Sequence, residues 1–128
     1  MIMIKGNKKK ILIVEDDNIL SKAINTALKE EKFETRVAID GEAALIKVKE
    51  FQPDLILLDL ILPKKSGEEV LEELKKDEET KHIPVLVATV KSEQEAVGRC
   101  IALGARGYLI KANYSLEEII KKVQEALR

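Results

Sequence analysis

The chain has a single cysteine, Cys100, so no internal disulfide can form; this fits a reducing compartment, and the protein reads as cytoplasmic. No apolar run approaches the ~20 residues of a membrane span. The opening MIMI is also too short for a secretory hydrophobic region. Neither sign of charge dominates: 22 Lys and Arg stand against 23 Asp and Glu, which leaves no broad field to draw nucleic acid or a strongly basic partner. The run Lys8, Lys9 and Lys10 reads as a solvated lead-in to the first strand, not a nucleic-acid patch. Linkers rich in Pro, Gly or Ser are missing as well. One domain over 1–128 is therefore expected, with 1–8 as a flexible lead-in. Neither a GxGxxG loop nor a P-loop follows the first apolar run, which argues against a nucleotide or flavin enzyme.

What is present is a rhythm. Short apolar runs at 10–14, 35–39, 54–58, 85–89 and 107–110 alternate with longer amphipathic stretches, and this predicts five βα units. Four of the runs are nearly continuous in apolar character, which suits a parallel sheet covered on both faces. Ile19, Leu20, Ala23, Ile24, Ala27 and Leu28 mark one face of a first helix, and a second is expected from about 41 to 50. Capping boxes are expected at Ser66 with Glu69, Ser92 with Glu95, and Ser115 with Glu118. Gly104 suits a left-handed helix C-terminus, and Pro84 is harmless at the start of the fourth strand. The fold class that follows is α/β, a doubly wound (βα)5 sandwich with its site at the carboxyl ends of the strands.

The residues at those strand ends are Glu15, Asp16 and Asp17, then Asp59, Thr89 and Lys111. Glu15 and Asp16 beside Asp59 would concentrate negative charge at a cost that a cation relieves. Mg²⁺ suits an all-oxygen set, and no His/Cys cluster competes for zinc. An ordinary aspartate is already ionised at neutral pH, so Asp59 needs only a phosphoryl donor to act as a nucleophile. Lys111 can neutralise phosphoryl oxygens, and before phosphorylation it can pair with Asp59; the Thr89 hydroxyl can donate to one of those oxygens. Asp17 suits an N-cap better than a metal site, His82 a solvated loop, and Cys100 helix packing.

The ordered segments ILIVEDD (11–17), PDLILLDLILP (53–63) with Gly67, IPVLVAT (83–89) and GARGYLIK (104–111) resemble the receiver domains of two-component response regulators, the CheY-like proteins. That resemblance covers nearly the whole chain. It implies a flavodoxin-like sheet in the order 2-1-3-4-5 with helices on both faces. It makes Asp59 the phosphoacceptor and Glu15 and Asp16 the metal-side acids, with Asp16 the direct ligand, and adds the backbone carbonyl of Ile61 as a further Mg²⁺ ligand. Thr89 becomes the switch hydroxyl, Lys111 the phosphate-binding lysine, and Tyr108 the aromatic residue that moves with Thr89. It also implies a histidine kinase or phosphotransfer protein as donor, and a protein target at the surface of the fourth helix, fifth strand and fifth helix. Direct contact with nucleic acid or membrane is not expected. A helix containing Leu116, Ile119, Ile120, Val123 and Leu127 ends at Arg128, on which a stand-alone receiver is expected.

Ala112, Val90, Ile61 and the pair Lys64 and Lys65 depart from the pattern. Ala112 follows Lys111 where most receivers place a cis proline; a cis bond before alanine costs about 2.5–4 kcal/mol, so a trans bond and a rearranged loop are expected. Val90 replaces a usual small residue beside Thr89, and with Ile61 it is expected to restrict water at the site. Lys64 and Lys65 add positive charge near it. A haloacid-dehalogenase-like phosphotransferase is disfavoured because its second acid belongs where Ile61 stands. The serious alternative is an interaction module on the same fold that works without phosphorylation.

Overall fold

In the computed structural model, which describes residues 8–128, five strands and five α-helices alternate. The elements are β1 (Lys10–Val14), α1 (Asn18–Glu30), β2 (Glu34–Ala38), α2 (Gly41–Phe51), β3 (Leu55–Leu58), α3 (Gly67–Lys76), β4 (Val85–Thr89), α4 (Gln94–Ala102), β5 (Gly107–Ile110) and α5 (Leu116–Ala126). All strand pairs are parallel, in the order β2-β1-β3-β4-β5, as the resemblance implies. The lead-in expected over 1–8 falls, for residues 1–7, outside the described residues; Lys8 and Lys9 are exposed.

Strand periodicity divides the core in two. Leu12, Val14, Ile56, Leu58, Val85 and Val87 face α2, α3 and α4, while Ile11, Ile13, Leu55, Leu57, Leu86 and Ala88 face α1 and α5. Both faces of the central strands are dry, which is why these strands read as unbroken apolar runs rather than alternating ones. Burying each of these Leu, Ile and Val side chains contributes roughly 1.5–3 kcal/mol.

Local signals hold at most boundaries. Ser66 and Ser115 form complete capping boxes with Glu69 and Glu118. Gly104 at φ 103° closes α4 with bonds from its own N–H to Ile101 and from Ala105 N–H to Cys100, a Schellman pattern. Pro84 precedes β4 and its carbonyl accepts from Ile56 N–H at 3.0 Å.

Four expectations need correction. The box at Ser92 does not form: α4 starts at Gln94 with Glu93 as N-cap, so Glu95 falls one position short of the N3 place that a box requires. β2 is shifted by one residue from the expected 35–39, leaving Ile39 exposed beyond the sheet. β3 begins at Leu55, one residue later than expected; Asp54 N–H still donates to the Lys10 carbonyl at 2.8 Å, and its carboxylate accepts Lys10 N–H at 2.7 Å. Ile19 is 83% exposed rather than on the buried face of α1, which rests on Ile24 and Leu28 and also buries Ser21.

Candidate functional site

The carboxyl ends of β1, β3, β4 and β5 meet because the sheet order places β1 and β4 on either side of β3, with β5 next to β4. Asp59 follows Leu58 directly, and its N–H donates to the Val14 carbonyl at 3.0 Å, which extends the β1–β3 ladder and presents the carboxylate at the strand end. Ile61 N–H donates to Asp59 Oδ1 at 3.2 Å. The chain then turns into α3 through Gly67, whose N–H donates to the Leu60 carbonyl. A Cβ on Gly67 would lie 2.2 Å from the Asp59 carbonyl oxygen, so only glycine allows α3 to start this close to the site.

Lys111, just after β5, donates to Asp59 Oδ2 at 2.9 Å and also to Glu15 Oε1. The pairing with Asp59 anticipated from sequence is present, and Glu15 joins it. Glu15 and Asp59 are both buried. Burial pushes the Glu15 carboxyl above its ordinary range against the pull of Lys111 and the Asp17 N–H. For Lys111, burial alone would lower the ammonium pKa, but the bonds to Glu15 and Asp59 outweigh it and hold the pKa above its ordinary value.

Oxygen atoms of Glu15, Asp16 and Asp59 lie within 4.8 Å of one another, with Asp16 exposed between two buried partners. Three carboxylates against one ammonium leave an excess of negative charge, and an all-oxygen set of this kind fits a hard divalent cation. A groove of about 750 Å³ between α1 and α5 is lined by none of these groups.

Thr89 ends β4 fully buried and its Oγ1 accepts Lys91 N–H at 3.4 Å. Tyr108 is half-buried, and its hydroxyl donates to the Lys91 carbonyl at 2.9 Å rather than to Thr89. Burial pushes the Tyr108 phenol above its ordinary pKa. Asp17 lies outside the cluster as the N-cap of α1, accepting from Ile19 and Leu20 N–H. His82 is exposed and Cys100 is buried in helix packing, as expected.

The departures resolve physically. Lys111–Ala112 is trans, there being no cis peptide among the described residues, and the chain passes into a single 3-10 turn over Lys111–Asn113. Ile61 and Val90 are both uncharged and are 48% and 61% exposed. Lys64 and Lys65 are engaged with Asp40 at 3.8 Å and Glu73 at 2.6 Å, so their charge is largely answered away from Asp59. Sequence reasoning missed the Glu15–Lys111 bond and the place of Glu68, at which Arg99 and Lys91 converge. Neither carries a local motif; both depend on partners brought together from distant segments.

No helix among the described residues is long and apolar enough to cross a membrane. Comparison with known proteins places this geometry. Residues 11–124 match the response regulator receiver domain. The chain is 35% identical over 119 residues to the phosphate regulon transcriptional regulatory protein PhoB of Rhizobium meliloti, covering 93% of this chain and 52% of that protein. It spans about half the length of the curated relatives it matches. Among solved structures, the Mn²⁺-bound form of response regulator Rcp1 shares 37% identity with a TM-score of 0.79, covering 91% of this chain and 90% of that one. The chemotaxis response regulator CheY4 of Vibrio cholerae shares 27% identity with a TM-score of 0.87, covering 94% and 100%. Five parallel strands in this order, with the acid cluster at their carboxyl ends and a family match across nearly the whole chain, make the protein a member of the response regulator receiver domain family.

Proposed function

We propose that the protein is a phosphorylation-dependent signalling switch whose phosphoacceptor is Asp59. The single observation that carries this reading is Lys111 Nζ at 2.9 Å from Asp59 Oδ2, with the Glu15 and Asp16 carboxylates gathered beside it. A carboxylate oxygen of Asp59 attacks the phosphorus of a phosphohistidine on a kinase or phosphotransfer protein. The P–N bond breaks, its electron pair leaves with the imidazole, which takes up a proton, and an aspartyl phosphate remains. Lys111 then holds a phosphoryl oxygen, and Thr89 turns its hydroxyl towards another. Glu15, Asp16, Asp59 and the Ile61 carbonyl would hold a Mg²⁺ ion, which when bound neutralises charge on the phosphoryl oxygens; the Mn²⁺-bound relative supports a divalent cation here.

Once Thr89 moves, the bond from Tyr108 to the Lys91 carbonyl breaks and the ring swings inward, changing the face formed by α4, β5 and α5 to which a protein target binds. Residues 1–128 act as one receiver unit in the cytoplasm, with no chemistry beyond gaining and losing their own phosphoryl group. Incubation with Mg²⁺ and a small acyl phosphate, followed by intact-mass measurement, tests the reading. One phosphoryl adduct is expected, and none on Asp59→Asn. If neither the acyl phosphate nor competent histidine kinases yield an adduct that depends on Asp59, the protein is instead an interaction module on the same fold.

A further inference from the structure

Glu68 is the second residue of α3, directly after the glycine that packs on the Asp59 main chain. Its carboxylate reaches towards the far side of the site. Arg99 of α4 donates to it through Nε at 2.7 Å and through Nη2 at 3.2 Å, a bidentate arrangement, and Lys91 Nζ lies 3.6 Å away. Lys91 follows Thr89 by two positions. Its N–H meets Thr89 Oγ1, and its carbonyl accepts the Tyr108 hydroxyl. One acid therefore joins the loop after Asp59, the segment after Thr89 and helix α4.

Helix α4 needs such a hold. The N-caps of α1, α2, α3 and α5 each accept a backbone N–H through a side chain; the N-cap of α4, Glu93, makes no such bond. Gly98 lies in mid-helix with nothing within 4 Å of where a Cβ would stand, so no close packing in this chain explains it. A glycine there weakens the helix by about 1 kcal/mol relative to alanine. The buried residues of α4 are only Ala96 and Cys100.

We propose that Glu68 is a positioning residue: by gripping Arg99 and Lys91 together it holds α4 and the segment after Thr89 in the resting arrangement, and so opposes the movement of Thr89 towards a phosphorylated Asp59. This rests on the receiver reading of the site given above. When the segment after Thr89 shifts, Lys91 leaves Glu68 and Tyr108 at once. A contact present only in the resting state lowers the population of the other state; removing it raises the affinity of whatever binds that other state.

The test uses Glu68→Gln, Arg99→Gln and their combination, with Lys76→Gln as a control that breaks the exposed Glu72–Lys76 pair of the same α3. In the resting protein, amide hydrogen exchange over 94–102 is expected to quicken roughly threefold to fivefold in either single variant, and no further in the double. Exchange in α1 and α5 stays as in the wild type. With Mg²⁺ and beryllium fluoride as phosphoryl mimic, half-saturation is expected to fall by a similar factor, with Lys76→Gln at the wild-type value. Arg99→Lys, which keeps a cation but not the fork, recovers part of both effects. Wild-type half-saturation in Glu68→Gln overturns the proposal, whether or not α4 exchanges faster, because Glu68 is then merely structural. A wild-type protein that does not respond to beryllium fluoride overturns the receiver reading itself, a result distinct from a normal response that the variants leave unmoved.

Discussion

Lys111 and Glu15, 96 residues apart in the chain, share a charge-assisted hydrogen bond on the buried side of the carboxylate cluster, and the same ammonium reaches Asp59 at 2.9 Å. One cation thus answers two buried anions.

Stability should carry the mark of this pairing. Burial raises the Glu15 pKa above its ordinary 4.5, so the native state keeps a proton that the unfolded chain releases. Glu15 therefore contributes a fall in stability as pH rises from 4.5 through its folded pKa. Lys111 acts at the other end: its contribution is complete below 10.5 and is lost as pH rises through its raised folded pKa. Glu15→Gln should flatten the acid-side slope of urea midpoint against pH while leaving a smaller alkaline fall. An unaltered acid-side slope would contradict this.

Two glycines should respond in opposite directions to the same substitution. Gly67→Ala drives a Cβ to 2.2 Å from the Asp59 carbonyl oxygen and 2.5 Å from Leu60 Cα, main-chain atoms with little freedom to yield. A loss of about 2–4 kcal/mol in urea unfolding is expected, with slower adduct formation. Gly98→Ala meets nothing and should stabilise the protein by roughly 0.5–1 kcal/mol.

Metal affinity should divide unevenly between neighbouring acids. Glu15 is buried and tied to Lys111, whereas Asp16 is exposed. Asp16→Asn is expected to weaken Mg²⁺ binding by roughly tenfold, and Glu15→Gln by less, in calorimetric titration. Equal losses would mean that Glu15 leaves Lys111 to bind the ion.

Val90, next to Thr89 in the chain, should influence how long the phosphoryl group lasts. Val90→Ala opens the approach beside Thr89, and hydrolysis of the aspartyl phosphate is expected to quicken about threefold, a barrier change of about 0.6 kcal/mol. Adduct decay followed by intact mass measures it; an unchanged rate removes Val90 from the control of water access.

Legibility followed the range of the interaction. The β1 and β5 boundaries and the caps at Asp17, Ser66 and Ser115 were readable because each depends on residues within a few positions. The box expected at Ser92 failed for a tertiary reason: the chain after Thr89 is drawn to Tyr108 and Glu68, and the helix starts later than its local signal suggests. Ile19 fits the apolar period of α1, yet it lies in the first turn, where the core no longer covers the helix.

By itself the sequence determined the alternation of strands and helices, the parallel sheet, and the identity of the acids, hydroxyl and lysine at the strand ends, because apolar period and strand-end position are local properties. Tertiary structure alone decided that Lys111 would serve Glu15 as well as Asp59, that Tyr108 would rest on Lys91, and that Glu68 would tie the Asp59 loop to α4. Those links join residues between 17 and 96 positions apart, and polar groups at that separation meet only where the sheet order and the loop paths bring them.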